Sequence, residues 1–556
     1  MKRTKLAIKL MIIAAVFTIT ACGTPANEKQ EENQTEKQKE TENPPVNFNA
    51  SISAMSLAAK MECGWNLGNT LDARSETSKY PHNQGVSSQT CWSEELTTEK
   101  IIKTGYENGY KTIRIPVTWC NHLVDTNYTI DSAWMDRVKE IVDWSIAAGY
   151  YVILNEHHSV HDNMTAPLKH CEGYIARADS ADESKAFLEA IWEQICETFN
   201  NDYDEHLIFE TMNEPRNTAD SHCWDPQIET CAECKADVQL VNEYNQLILD
   251  TIRASGGNNS QRFVMIPGNG TGINCALADY FELPNDSAKD KLIVTVHKYP
   301  LDWGGTGKGS RHFDADVKAE LTNDAKNLYQ KFVSKGIPVV VGECGSCKQA
   351  IDVYENGGWH RVTDFITTYE DRLECFKYFA SVMGKYSIPL INWDVGGEAG
   401  HATIDRKNCK LFEPDYVAAV IKAWKDANAN PDSVSVAADD LEIDLNSLKG
   451  WDGTTLDKKT HTFTFKEYTG GDVWLDAKDG ELYSKLVVNY KDASDAFKVT
   501  IGYTDSNANE TKKLSKGSGK VEFDIDSSKS VQTVQFMAMG APCSVTIEKI
   551  VFLARK

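Results

Sequence analysis

Two glutamates stand at the ends of apolar runs in this chain. Glu214 lies in Phe209-Glu210-Thr211-Met212-Asn213-Glu214-Pro215-Arg216, and Glu343 in Val339-Val340-Val341-Gly342-Glu343-Cys344-Gly345. Two carboxyls aimed into one cleft can divide acid/base work, provided that one is protonated and one ionised at working pH. Cleavage of a glycosidic bond needs that division: one carboxyl protonates the leaving oxygen, and the other attacks or stabilises the oxocarbenium-like centre. Taken singly, each glutamate reads as well as a solvated strand end or half of a structural ion pair. The chemistry therefore depends on a fold that brings the two together.

The elements that must position them are short and β-branched, and they alternate with longer helical patterns between about residues 51 and 428. Strands are expected at 64–67, 112–116, 151–155, 207–212, 262–267, 292–296, 338–342 and 389–393. Most are apolar at every position, as parallel strands buried on both faces require. Helices are expected at 132–148, 182–199, 237–254, 315–335 and 371–386. Eight such units in under 400 residues point to an α/β fold, a (β/α)8 TIM barrel. A doubly wound open sheet would favour a Gly-rich phosphate loop after an early strand, and none is present. Polar residues collect where the strands end: Asn66, Arg114, Asn155, His157, His158, Asn213, Glu214, His297, Tyr299, Glu343 and Trp393-Asp394. In a TIM barrel those ends form one rim. His157-His158 does not read as a metal site, because adjacent side chains on an extended segment diverge and no further ligand is spaced to join them.

The segments resemble glycoside hydrolase family 5 (cellulase family A). Asn213-Glu214-Pro215 is similar to the family's acid/base motif, and Gly342-Glu343 after a run of Val to its nucleophile motif. Gly64-Trp65-Asn66-Leu67-Gly68-Asn69-Thr70, Thr112-Ile113-Arg114-Ile115-Pro116, Val152-Ile153-Leu154-Asn155 with His157-His158, and Val296-His297-Lys298-Tyr299 resemble the first, second, third and sixth strand signatures. The resemblance implies Glu214 as acid/base and Glu343 as nucleophile, with retention of configuration and carboxyls about 5–5.5 Å apart. It implies that Arg114 and Tyr299 hold Glu343, and that Asn213 donates to the sugar 2-hydroxyl. His157 and His297 would bind hydroxyls or tune the acid, and Trp393 would lie under a sugar ring. Asn66 and His158 join the expected substrate-binding set. The chain departs from the family pattern at Asn392, where many relatives carry Trp, and at Ser159-Val160-His161-Asp162 after the paired His. Trp65 and Trp119 read as core and as cleft alike.

The bulk numbers agree with a neutral substrate. The 556 residues exceed one ordinary core; 41% are hydrophobic, 25% are charged, and the net charge is −23. Such an acidic surface repels nucleic acid and anionic membrane. Basic Lys2, Arg3, Lys5 and Lys9 precede an apolar run too short to span a bilayer. That run ends in Ile19-Thr20-Ala21-Cys22, which resembles a lipobox with Cys22 as the lipidated residue; an ordinary signal peptide is the alternative. Residues 1–22 thus read as signal, 23–49 as a disordered tether, 50–430 as the barrel, and 435–556 as an all-β sandwich built from short alternating runs. Export allows disulfides. The C-x-x-C pairs Cys231/Cys234 and Cys344/Cys347 read as loop disulfides or spare thiols, with a metal or redox role as the minor reading.

The expected function is endo-hydrolysis of β-1,4-glucan, with xyloglucan or mixed-linkage glucan next and mannan third. A glycan-binding surface lipoprotein without catalysis is the reading from a different class. The expected partner is the β-glucan itself. No cofactor, metal or nucleic acid is expected, membrane contact comes only through the N-terminal lipid, and the chain is read as a monomer. In the sandwich, Trp451, Trp474, Tyr483, Tyr490 and Tyr503 read either as a sugar-binding strip or as core.

Overall fold

Eight short strands close into a parallel barrel in the computed structural model, the first beside the eighth. The structure describes residues 46–75, 80–93, 95–159, 167–301, 312–346, 352–355, 358–361, 368–397, 401–434, 440–479, 483–504 and 509–555. The barrel strands are β1 (Cys63–Asn66), β2 (Thr112–Ile115), β3 (Tyr151–Asn155), β4 (Leu207–Glu210), β5 (Val264–Gly272), β6 (Leu292–Lys298), β7 (Val339–Cys344) and β8 (Leu390–Asn392). The expected TIM barrel is present, each strand within a few residues of its expected place.

The uniformly apolar strands follow from burial on both faces. In β7, Val339 and Val341 pack outward against the helices, while Val340 points to the barrel axis. The same alternation puts Ile153, Ile208, Met265, Ile293 and Ile391 on the axis. They form the lower core layer, covered by Ala54, Leu57 and Met61 of the helix Ala54–Met61. One step further along the strands the inward residues turn polar: Asn66, Arg114, Asn155, Glu210 and Thr295 are all buried. An apolar plug below and a polar layer above define which end of the barrel can do chemistry.

Helix boundaries follow local capping. The helix Ser132–Ala148 starts at Asp131, whose carboxylate accepts from Ala133 N, and stops at Gly149 in the left-handed conformation, φ 99°. The helix expected to start at 237 starts at Ala232, because Cys231 caps it by accepting from Cys234 N. The chain also joins the barrel earlier than a tether through residue 49 implies. Val46 N donates to Asn201 O at 2.7 Å, and the Phe48 ring lies 6.1 Å from that of Phe263. Cys22, the signal and most of the tether lie outside the described residues. Among those described, no helix is long and apolar enough to cross a membrane.

After the helix Pro414–Ala429 come two antiparallel sheets. One orders Thr454–Asp457, Thr462–Phe465, Cys543–Ala554, Tyr483–Ala493 and Gly517–Asp524; the other orders Lys449–Gly450, Gly470–Asp479, Ser530–Ala538, Phe497–Tyr503 and Glu510–Leu514. Between them lies a separate core of Phe463, Leu486, Phe497, Phe523, Phe536 and Phe552. The structure divides the aromatic candidates here. Tyr483, Tyr490 and Tyr503 belong to this core, whereas Trp474 is 61% exposed. Trp451 and Trp474 both donate their indole N–H to Asp472 Oδ2, at 2.9 and 3.2 Å.

Candidate active site

The polar layer is organised by one guanidinium. Arg114 is fully buried, and strand register places it beside Asn66 on β1. Its Nε donates to Glu210 Oε2 at 2.6 Å, Nη1 to Glu343 Oε1 at 2.7 Å and to Asn66 Oδ1 at 2.9 Å, and Nη2 to Asn213 Oδ1 at 2.7 Å. A buried cation without anions would cost several kcal/mol. Here two carboxylates and two amide oxygens surround it, and its pKa is raised because Glu210 and Glu343 outweigh the effect of burial. Glu210 is held in turn by Asn155 Nδ2 at 3.0 Å and Thr295 Oγ1 at 2.8 Å.

Glu343 reaches the barrel lumen through a bulge. Val296 pairs with Val341, but His297 pairs with Glu343, so β7 carries one extra residue against β6. Strict alternation from the outward Val341 would send Glu343 outward; the extra residue turns it in beside His297. That residue is Gly342, where a Cβ would lie 2.7 Å from Thr295 Oγ1. Besides Arg114, the Glu343 carboxylate accepts from Tyr299 OH at 2.8 Å. His297 Nδ1 stands 3.5 Å away and His157 Nε2 3.9 Å. Burial and the Glu343 charge push the Tyr299 phenol well above its ordinary value, so it stays a donor.

Glu214 faces this group from the segment after β4. One oxygen from each of Glu214 and Glu343 and a His297 nitrogen lie within 4.8 Å of one another. His297 Nδ1 donates to Glu214 Oε1 at 2.9 Å, and Arg216 Nη1 lies 3.6 Å from Oε2. Burial pushes the Glu214 carboxyl up, but the His297 hydrogen bond and the charges of His297 and Arg216 more than offset it, leaving it below the ordinary value. His157 is held neutral, because burial and the neighbouring His158 and Arg114 push its pKa well down. Asn155 Oδ1 accepts from Val117 N, which turns its Nδ2 toward His157 Nδ1 at 3.2 Å. The imidazole proton therefore sits on Nε2, aimed at Glu343.

The cellulase model, glycosyl hydrolase family 5, matches residues 73–399. Endoglucanase 1 of Ruminococcus albus is 35% identical over 425 residues, 74% of this chain and 93% of that protein. The chain belongs to glycosyl hydrolase family 5. Endoglucanase B of Neocallimastix patriciarum is 34% identical over 385 residues, 67% of this chain and 72% of that protein. Among solved structures, a family 5 lichenase from Caldicellulosiruptor sp. F32 is 31% identical with a TM-score of 0.58, covering 69% of this chain and 99% of that one. A broad-specificity endoglucanase from Ruminococcus champanellensis with bound cellotriose is 31% identical with a TM-score of 0.56, covering 66% and 98%. The family match ends before the sandwich begins.

Most expected residues of this family 5 site meet in one place, but not all face the cleft. Asn66 is a correction. It is fully buried, its Nδ2 donates to the carbonyls of Gly342, Ile391 and Asn392 at 3.0–3.3 Å, and its Oδ1 serves Arg114. No group of it is left for a substrate, and it ties β1 to β7 and β8. Arg114 is likewise too buried to touch substrate and acts through Glu343 and Asn213. Because Asn213 Oδ1 accepts from Arg114, its Nδ2 is the atom turned to the cleft. His158 sits at the cleft edge, 3.8 Å from Asp72 Oδ2 and edge-on to Trp92 at 5.4 Å. Burial lowers its pKa to about 3. Trp393 lies parallel to the His157 ring at 5.5 Å. Trp65 and Trp119 are core, their indoles bonded to Tyr150 OH and Asn155 O. Asn392 donates its Nδ2 to Trp393 O and His401 O.

Sequence reading missed Glu210, Trp92 and Trp224. Glu210 carried a signal, a carboxylate at an inward position of an apolar strand. The indoles lie on loops, Trp224 52% exposed with the Arg216 guanidinium 3.9 Å from its ring centroid.

Replacing Glu210 by Gln keeps the shape but removes an anion from Arg114. Denaturant unfolding is expected to show a loss of about 3 kcal/mol, and kcat to fall about 100-fold as Glu343 and Asn213 shift. In His297→Ala, Glu214 loses the donor that lowers its pKa while burial remains, so that pKa rises. The alkaline limb of kcat/KM, which reports an acid in the free enzyme, is expected to move to higher pH; an unmoved limb refutes this account of Glu214.

Proposed function

We propose that this chain is an endo-acting, retaining β-glucanase in which Glu214 is the acid/base and Glu343 the nucleophile. The observation that carries the reading is the spacing of the two carboxylates, with oxygens within 4.8 Å. Retaining enzymes hold their carboxyls about 5–5.5 Å apart, whereas inverting ones leave about 6.5–9.5 Å for a water. Tyr299 and Arg114 keep Glu343 fixed and hydrogen-bonded, aimed at the anomeric carbon. Glu214 protonates the leaving oxygen, and a glycosyl ester forms on Glu343. Glu214, now ionised, takes a proton from the water that breaks that ester. A sugar entering the cleft strips water from Glu214 and strengthens the burial that pushes its pKa up, which favours the protonated form when the acid is needed. Asn213 Nδ2 is placed for the 2-hydroxyl, and Trp393, Trp92 and Trp224 offer ring faces along the cleft.

The preferred polymer is β-1,4-glucan. Relatives named endoglucanase support this, while the broad-specificity and lichenase neighbours favour mixed-linkage glucan or xyloglucan as the second reading over mannan. The lipobox resemblance at Cys22 supports an exported, surface-held enzyme. In the sandwich, a glycan-binding face centres on exposed Trp474 with Trp451, fixed through Asp472.

Glu343→Gln and Glu214→Gln are each expected to lower reducing-sugar release by about 1,000-fold on the preferred polymer among carboxymethylcellulose, mixed-linkage glucan, xyloglucan and mannan. The first product seen by proton NMR should carry the β anomer; an initial α anomer rejects double displacement. Pull-down on insoluble cellulose by the inactive Glu343→Gln chain should weaken several-fold on adding Trp474→Ala, and unchanged retention would remove the binding role of the sandwich.

A further inference from the structure

The loop after Arg216 and the first turn of the helix Ala232–Ala254 gather four side chains that the hydrolytic site does not use. Asp220, His222, Cys231 and Cys234 each present one donor atom, and the four atoms lie within 4.8 Å of one another. Cys234 Sγ is 3.2 Å from Asp220 Oδ2 and 3.5 Å from His222 Nδ1. His222 Nδ1 is 3.4 Å from Asp220 Oδ1. A tetrahedral zinc with bonds of about 2.3 Å to sulfur and about 2.0–2.2 Å to nitrogen and oxygen separates its ligands by about 3.3–3.8 Å. The measured spacings fall in or next to that range. Both cysteines are free thiols.

The surroundings fit a bound cation as well. Cys234 N donates to Cys231 Sγ at 3.4 Å, which satisfies a sulfur that would carry charge as a ligand. Cys231 caps the helix, whose N-terminal partial charge favours anionic sulfur. His222 N donates to Asp220 Oδ1 at 2.9 Å and sets the carboxylate. Next to it, Asn217 Nδ2 bonds Asp237 Oδ2 at 2.9 Å.

The geometry points to a structural site for a zinc-class divalent cation, held by Asp220, His222, Cys231 and Cys234. Two sulfurs with one imidazole and one carboxylate select a borderline-soft tetrahedral ion over calcium or magnesium, which take six or more oxygens. Binding releases the two thiol protons to solvent and leaves the sulfurs as ligands, with no change of oxidation state. The ion would cross-link the loop to the start of the helix. The same loop carries Trp224 over Arg216, beside Glu214.

Cobalt(II) added anaerobically to the reduced full-length protein tests this. One equivalent is expected to produce a thiolate-to-cobalt charge-transfer band with intense visible bands of tetrahedral cobalt, both discharged by one equivalent of zinc. The double substitution Cys231→Ser/Cys234→Ser should abolish the charge-transfer band. His222→Ala should weaken cobalt binding by about tenfold or more, and Glu343→Gln, which alters the carboxylate–imidazole cluster of the candidate active site, should leave the spectrum unchanged. Circular dichroism of each protein checks that it is folded. Absence of the band in the folded parent, or its survival in the double variant, overturns the proposal. So does a Cys231–Cys234 disulfide found by mass in protein recovered from its export compartment.

Discussion

The arrangement of the barrel's upper half depends on keeping one guanidinium out of water. Arg114 is charged at any working pH and fully buried, so the fold must supply negative charge and acceptors around it. It does so with Glu210, Glu343, Asn66 and Asn213, drawn from β4, the end of β7, β1 and the segment after β4. Each of those partners is then fixed by something else: Asn66 by carbonyls of β7 and β8, Glu210 by Asn155 and Thr295. The network joins strands that are distant in sequence. It also turns an electrostatic liability into positional accuracy, since neither carboxylate can rotate away without exposing Arg114 to an uncompensated environment.

The apolar layer beneath makes that network effective. Ile153, Ile208, Met265, Ile293, Val340 and Ile391 fill the axis below it, and the helix Ala54–Met61 covers that end. With water excluded from below, hydrogen bonds above act in a low-dielectric setting and count for more than at a surface. Strand period alone would have put Glu343 on the wrong face. The bulge at Gly342 corrects this locally, without disturbing Val339 and Val341, which still pack against the helices.

Most of this was legible in the sequence, for physical reasons that also mark where it stopped. Strands buried on both faces must be apolar throughout, so eight of them stood out, and Glu214 and Glu343 were conspicuous because charge there needs a purpose. Asn66 looked the same and was misread: strand-end polarity does not say whether a side chain spends its donors on substrate or on neighbouring carbonyls, because that depends on register with β7 and β8. Glu210 was overlooked because it sits inside a strand, where only its partner across the barrel explains it. In the sandwich, alternation placed Tyr490 and Tyr503 on strands but could not say which face was inner. Trp92 and Trp224 lie on loops, where no periodicity assigns a direction. The spacing of Cys231 and Cys234 was visible, but Asp220 and His222 join them only through the path of a loop.

In the proposed reaction, environment rather than residue type assigns the roles of Glu214 and Glu343. They are the same side chain, close enough to share His297, yet their surroundings differ in kind. Glu343 has a fully buried, permanent cation and a half-buried phenol that stays protonated, so it keeps both hydrogen bonds whatever enters the cleft. Glu214 has a histidine, a longer contact to Arg216 and a partly open face, so its balance between burial and neighbouring charge changes when water is displaced. A nucleophile must be ready before substrate arrives, whereas an acid that becomes a base must change its proton affinity during the reaction. In the proposed roles, a rigid, buried partner suits the first task and a partly open setting the second. That asymmetry is written into β2 and β6, the strands that carry Arg114 and His297.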